Sequence, residues 1–122
     1  MSRLHMGIDV GSTTVKVVVS DDAGKMYFAE YMRHFSDLKN TVINLFGRVK
    51  EAIGEEKFTV VITGSGGLLL SKMLKLPFVQ EVIANKTAIK KYLPDTDVVI
   101  ELGGEDAKIL YLTGGLEQRM NG

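Results

Sequence analysis

Gly7-Ile8-Asp9-Val10-Gly11-Ser12-Thr13-Thr14-Val15-Lys16 is an apolar run broken by a short turn of glycine and hydroxyl residues. A carboxylate stands just before the turn and a lysine just after it. Outward from the turn, residues 4–10 read as one strand and residues 15–20 as another. Asp9 then falls at the end of the first strand, facing the turn. Such a turn can aim backbone N–H groups and the hydroxyls of Ser12, Thr13 and Thr14 at phosphate oxygens. Asp9 could hold Mg²⁺ through water, and Lys16 could neutralise phosphate charge. The same residues would also suit an ordinary hairpin with a surface aspartate and a solvated lysine.

Further along, Asp21-Asp22-Ala23-Gly24 is a turn, and residues 25–33 make a third strand. Short loops make these three strands antiparallel neighbours. Ser36 reads as a helix N-cap with Asp37 in the first turn. Leu38, Val42, Leu45, Phe46, Val49 and Ile53 follow at helical spacing, and Gly54 marks the stop. The β-branched run at residues 58–63 reads as a buried strand parallel to the first. Helices are expected over residues 68–74 and 79–92, interrupted by Pro77 and ended by Pro94. Residues 97–102 read as a buried strand, and residues 107–112 and 116–120 as a hairpin around Thr113-Gly114-Gly115. The order β-β-β-α-β-α-α-β-β-β implies an α/β fold, with a mixed sheet and helices packed on it. No internal repeat or flexible linker is evident, and residues 1–122 read as one lobe, a fragment of a longer protein.

The second glycine segment is Glu101-Leu102-Gly103-Gly104-Glu105-Asp106-Ala107-Lys108. Gly103 and Gly104 let backbone approach a ligand closely, and with Glu105 they would form a second phosphate clamp. Glu101 and Asp106 flank the bend as Mg²⁺ or water contacts, or else as turn chemistry and a solvated acid. The strands that start the two segments are expected to be near neighbours in one sheet, with their ends facing one crevice. Thr63-Gly64-Ser65-Gly66-Gly67 is a third glycine turn. It suits a phosphate at a helix N-terminus, or simply a connection that needs small residues for packing. Glu81 could orient water, and an acid at a helix start also has a dipole rationale. The candidate catalytic residues are Glu81 and Glu101.

Composition narrows the partners. Fifteen basic and fifteen acidic side chains balance, which argues against a nucleic-acid footprint or strong membrane attraction. There is no cysteine, so this chain offers no thiolate ligand and no disulfide. No apolar run approaches a bilayer-crossing length and no signal-peptide core is present, so the cytoplasm is the expected compartment. His5 and His34 have no partners at metal-ligand spacing and read as surface residues.

At Gly7 to Thr13 and Glu101 to Gly104 the sequence resembles the acetate kinase, sugar kinase, heat-shock chaperone and actin superfamily. That resemblance implies a ribonuclease H-like lobe with two phosphate motifs. The stretch from Glu81 to Ala88 is similar to the chaperones' connecting helix, where a glutamate helps place metal and water. A closer resemblance is to the ATPase activators of 2-hydroxyacyl-CoA dehydratases and benzoyl-CoA reductases. It is carried by Gly7 to Thr13, by Thr63-Gly64-Ser65-Gly66, by Gly103-Gly104-Glu105-Asp106-Ala107-Lys108, and by the stretch from Leu116 to Asn121. Glu101 departs from the aspartate usual there.

This resemblance implies ATP and ADP as ligands, Mg²⁺ as the cation, a second lobe, and a dehydratase or reductase partner. It also implies a [4Fe–4S] cluster in the full-length protein, with no cluster ligand in this chain. ATP hydrolysis would drive an electron from that cluster to the partner, and this chain alone would be inactive. Two alternatives share the clamp: a lobe of a sugar, acetate or pantothenate kinase, and a non-enzymatic actin-like or chaperone-like module.

Overall fold

The computed structural model describes residues 3–54, 56–102, 107–111 and 117–121. It divides into two compact units, residues 1–78 and 79–122.

The first unit is built on β1 (Leu4–Val10), β2 (Thr14–Asp21), β3 (Met26–Arg33) and β4 (Phe58–Thr63). Their order in the sheet is β3-β2-β1-β4. β1 is antiparallel to β2 and parallel to β4, as the loop lengths require. Alternation decides which face is covered. Leu4, Met6, Ile8 and Val10 of β1 and Val15, Val17 and Val19 of β2 are buried, while His5, Gly7, Lys16 and Val18 between them are not. The register places Val10 opposite Val15 and Ile8 opposite Val17, so one face of the sheet forms a continuous valine-rich core. Ile62 of β4, flanking Ile8, completes it. Burying each such side chain contributes about 1.5–3 kcal/mol.

Helix α1 (Leu38–Ile53) covers that face with Val42, Leu45 and Val49, the positions that the helical spacing marks. Its N-cap is Asp37, not Ser36. The Asp37 carboxylate accepts from the Asn40 amide, while Ser36 sits in the left-handed region at φ 62°. Gly54 ends the helix at φ 90°, its amide donating to the Lys50 carbonyl. Helix α2 (Gly67–Leu74) follows β4 and seats Leu70 in the core. Beyond it, the Pro77 carbonyl accepts the Ile62 amide, so Pro77 and Phe78 run beside β4.

The second unit holds α3 (Glu81–Tyr92) and a separate antiparallel sheet in the order β5 (Val98–Leu102), β6 (Ala107–Tyr111), β7 (Glu117–Asn121). This corrects one expectation: β5 pairs with β6 and does not join the sheet of β1. The apolar run of β5 is compatible with either sheet, and the choice is made by the short connection to β6. Among the described residues no helix is long and apolar enough to cross a membrane.

Candidate functional site

The candidate residues of the first unit gather where β1 and β4 end. The register sets Asp9 opposite Lys16 on one side and opposite Thr63 on the other. Directly paired residues share a face, so Lys16, Asp9 and Thr63 form a row across three strands on the face away from the valine core. Asp9 is half-buried and Lys16 exposed. The Thr63 hydroxyl oxygen is buried and, among the described residues, has no hydrogen-bond partner. Such an atom calls for a polar neighbour, which a hydrated cation or a phosphate oxygen can supply.

The turn at residues 11–14 closes through the Gly11 amide, which donates to the Thr14 carbonyl at 2.8 Å. Ser12 and Thr13 are exposed at its tip. His34 reaches the turn from the end of β3. Its amide donates to the Thr13 carbonyl at 3.0 Å, and its Nε2 lies 3.1 Å from the Gly11 carbonyl. His34 is therefore half-buried against the turn rather than a surface residue, which corrects the sequence reading. His5 also has partners: its ring bonds the Thr59 hydroxyl and the Asp22 carboxylate, bridging neighbours on both sides of β1. That bond holds the Asp22 carboxyl below the usual carboxylate range.

The third glycine segment packs directly against the first. The Gly66 amide donates to the Val10 carbonyl at 2.9 Å. Gly64 is buried at φ 102°, and a β-carbon there would collide with the Val10 carbonyl and the Asp9 carboxylate. One on Gly67 would stand 2.9 Å from the Ile62 side chain. Close packing thus accounts for these glycines, and it fixes the wall beside Asp9.

In the second unit Glu81 opens α3 and is half-buried. Glu101 lies near the end of β5, opposite Lys108 of β6. Gly103, Gly104, Glu105 and Asp106 lie outside the described residues, as do Thr113, Gly114 and Gly115. The pairing repeats that of the first unit. Asp9 faces Lys16 and Val10 faces Val15; Glu101 faces Lys108 and Leu102 faces Ala107. In both hairpins the acid and the lysine enclose an apolar pair, and four residues lie between the members of that pair. The two hairpins thus share the spacing of their last two pairs, although the residues differ.

Chemically, the first unit offers one carboxylate, three hydroxyl residues at a turn, a lysine and an orphan hydroxyl. Among the described residues no three His, Cys, Asp or Glu side chains cluster to hold a metal ion. The donor set itself, Asp9 beside the Thr63 hydroxyl, suits a hydrated Mg²⁺, which needs one or two protein carboxylates beside substrate phosphates. It does not fit an iron–sulfur cluster, because the chain has no cysteine. A cleft of about 380 Å³ lined by Met6, Phe46, Val49, Phe58, Val60 and Leu76, among others, lies among the starts of β1 and β4, and its walls are mainly apolar.

No protein-family model matches the sequence. An uncharacterised protein of Methanocaldococcus jannaschii is 34% identical over 110 residues, 86% of this chain and 42% of that protein. The 2-hydroxyisocaproyl-CoA dehydratase activator of Clostridioides difficile is 28% identical over 110 residues, 88% of this chain and 40% of the activator. A solved structure of that activator with bound ADPNP, from Clostridium difficile, superposes with a TM-score of 0.69 at 25% identity, over 99% of this chain and 46% of the activator. By sequence and by fold, the chain is similar to the 2-hydroxyisocaproyl-CoA dehydratase activator.

Component A of the Acidaminococcus fermentans (R)-2-hydroxyglutaryl-CoA dehydratase adds support for the fold. It superposes with a TM-score of 0.83 at 22% identity, over 98% of this chain and 48% of that one. The actin-like, ribonuclease H-like α/β architecture expected from the sequence is thus the observed one. The chain spans less than half the length of the curated relatives it matches.

Proposed function

We propose that the chain is the nucleotide-phosphate-binding, N-terminal part of an ATP-hydrolysing activator of a CoA-ester dehydratase or reductase. The observation that carries this is the repeated hairpin register, Asp9 with Lys16 and Glu101 with Lys108, each enclosing a glycine-rich connection. The ADPNP bound by the Clostridium difficile activator supports a nucleotide as ligand. In this reading the connection at residues 11–14 and that at 103–106 grip one phosphate chain. Asp9 and Glu101, with Asp106, hold the waters of Mg²⁺. Lys16 offsets phosphate charge, and Glu81 orients the attacking water. Mg²⁺ supplies charge neutralisation on the phosphates, and the turn amides supply fixed dipoles.

The remainder of the protein would complete the nucleotide site. Hydrolysis would change the angle between lobes, a hinge-type switch. Electron delivery from a [4Fe–4S] cluster to the dehydratase or reductase belongs to that longer protein, and no thiolate for it comes from this chain. The compartment proposed is the cytoplasm.

The test is calorimetric titration of the full-length protein with Mg-ADP, together with phosphate release from Mg-ATP. Saturable binding and hydrolysis are expected. Absence of any binding at millimolar nucleotide refutes the reading. The isolated chain should hydrolyse ATP negligibly, and turnover near that of the full-length protein would contradict its assignment as part of a site.

A further inference from the structure

The geometry points to His34 as a positioning residue for the phosphate-binding turn, an inference that rests on the function proposed above. His34 acts on alternate peptide units of that turn. Its Nε2–H donates to the Gly11 carbonyl at 3.1 Å, and its backbone amide donates to the Thr13 carbonyl at 3.0 Å. In a planar trans peptide the carbonyl and the following N–H point in opposite directions. Pinning the Gly11 carbonyl on His34 therefore turns the Ser12 N–H away from His34. Pinning the Thr13 carbonyl turns the Thr14 N–H the same way. The Gly11 N–H is already used in closing the turn. Two amides are thus presented on the side opposite His34, which is what an anion requires of a pre-set donor group.

The ring is itself held in place. The Ser36 amide donates to its Nδ1 at 3.1 Å, and the Asp37 amide donates to the His34 carbonyl at 2.6 Å. The chain doubles back to make these bonds, with Phe35 at φ 46° and Ser36 at φ 62°. That left-handed region is uncommon for residues other than glycine. An amide can only donate, so Nδ1 accepts and Nε2 carries the proton. One neutral tautomer satisfies both ring contacts.

Three substitutions separate the two ring contacts in the full-length protein. His34→Gln keeps a donor near the Nε2 position and loses the acceptor for Ser36. His34→Asn keeps an acceptor near the Nδ1 position and loses the bond to Gly11. His34→Ala loses both. All three keep the backbone bond to Thr13. Mg-ADP affinity should fall roughly tenfold in the Ala and Asn variants and stay within about threefold of wild type in the Gln variant. Nitrogen NMR of the wild-type protein should show the Nε2–H tautomer. Wild-type affinity in His34→Ala overturns the inference, as does an Asn variant that binds well beside a Gln variant that binds poorly. An Nδ1–H tautomer also overturns it. A wild-type protein that binds no Mg-ADP overturns the proposed function as well, whereas the other outcomes leave that reading standing.

Discussion

Gly64 and Asp9 are packed so closely that a β-carbon on the glycine would stand 2.6 Å from Asp9 Oδ1. The same carbon would also strike the backbone of Val10, and Gly64 sits at φ 102°, where any side chain is strained. Gly64→Ala should therefore cost about 2–4 kcal/mol, combining left-handed strain with displacement of the end of β1. Urea unfolding measures this directly. A loss below about 0.5 kcal/mol, the range of ordinary surface changes, contradicts the packing described.

Gly47 gives the opposite result from the same substitution. It lies inside α1 and is exposed, and a β-carbon there meets nothing within 4 Å. Gly47→Ala should raise stability by about 1 kcal/mol, since alanine restricts the unfolded chain and favours helix. A lowered unfolding midpoint shows that the helix face at Gly47 is not open.

Much of the first unit was legible because its signals are local. Val15, Val17 and Val19 alternate with polar or exposed positions, and Val42, Leu45 and Val49 recur at helical spacing; each pattern admits one burial solution. The destination of β5 was not legible. Val98 to Leu102 is apolar enough for either sheet, and pairing is a non-local choice. A signal was nevertheless present: Asp9 precedes Lys16 by the same seven residues as Glu101 precedes Lys108. Equal spacing marks equivalent hairpins in separate units better than neighbouring strands of one sheet. His34 was missed for a different reason. Its contacts depend on the left-handed corner at Phe35 and Ser36, two residues whose types give no hint of positive φ. The capping role moved from Ser36 to Asp37 through the same corner.

Asp21 should make stability fall in acid. It is buried at 7% exposure, and its carboxylate accepts from the Lys25 and Ala23 amides and the Tyr27 hydroxyl. The backbone bond from Lys25, helped by Tyr27 and Ala23 and opposed by desolvation, holds its carboxyl below the ordinary value of 3.8. The unfolded carboxyl takes up its proton first as pH falls. The stabilisation is thus whole above that ordinary value and is lost as pH drops through the lower, folded one. Urea midpoints measured from neutral pH downward should therefore fall more steeply below 3.8 in wild type than in Asp21→Asn. Parallel curves for the two proteins rule out this contribution.

Asp9→Asn tests the metal role of the acid at the end of β1. The amide is nearly isosteric, so the wall formed by Gly64 and Gly66 should be retained. What is lost is the negative charge that favours a hydrated Mg²⁺. In the full-length protein, Mg-ADP affinity should fall by roughly tenfold or more, the scale of a lost charge-assisted contact. Affinity for ADP without Mg²⁺ should hold or rise, because repulsion between Asp9 and the phosphates is relieved at the same time. Equal losses with and without the cation would assign Asp9 to the shape of the turn and leave the metal to other residues.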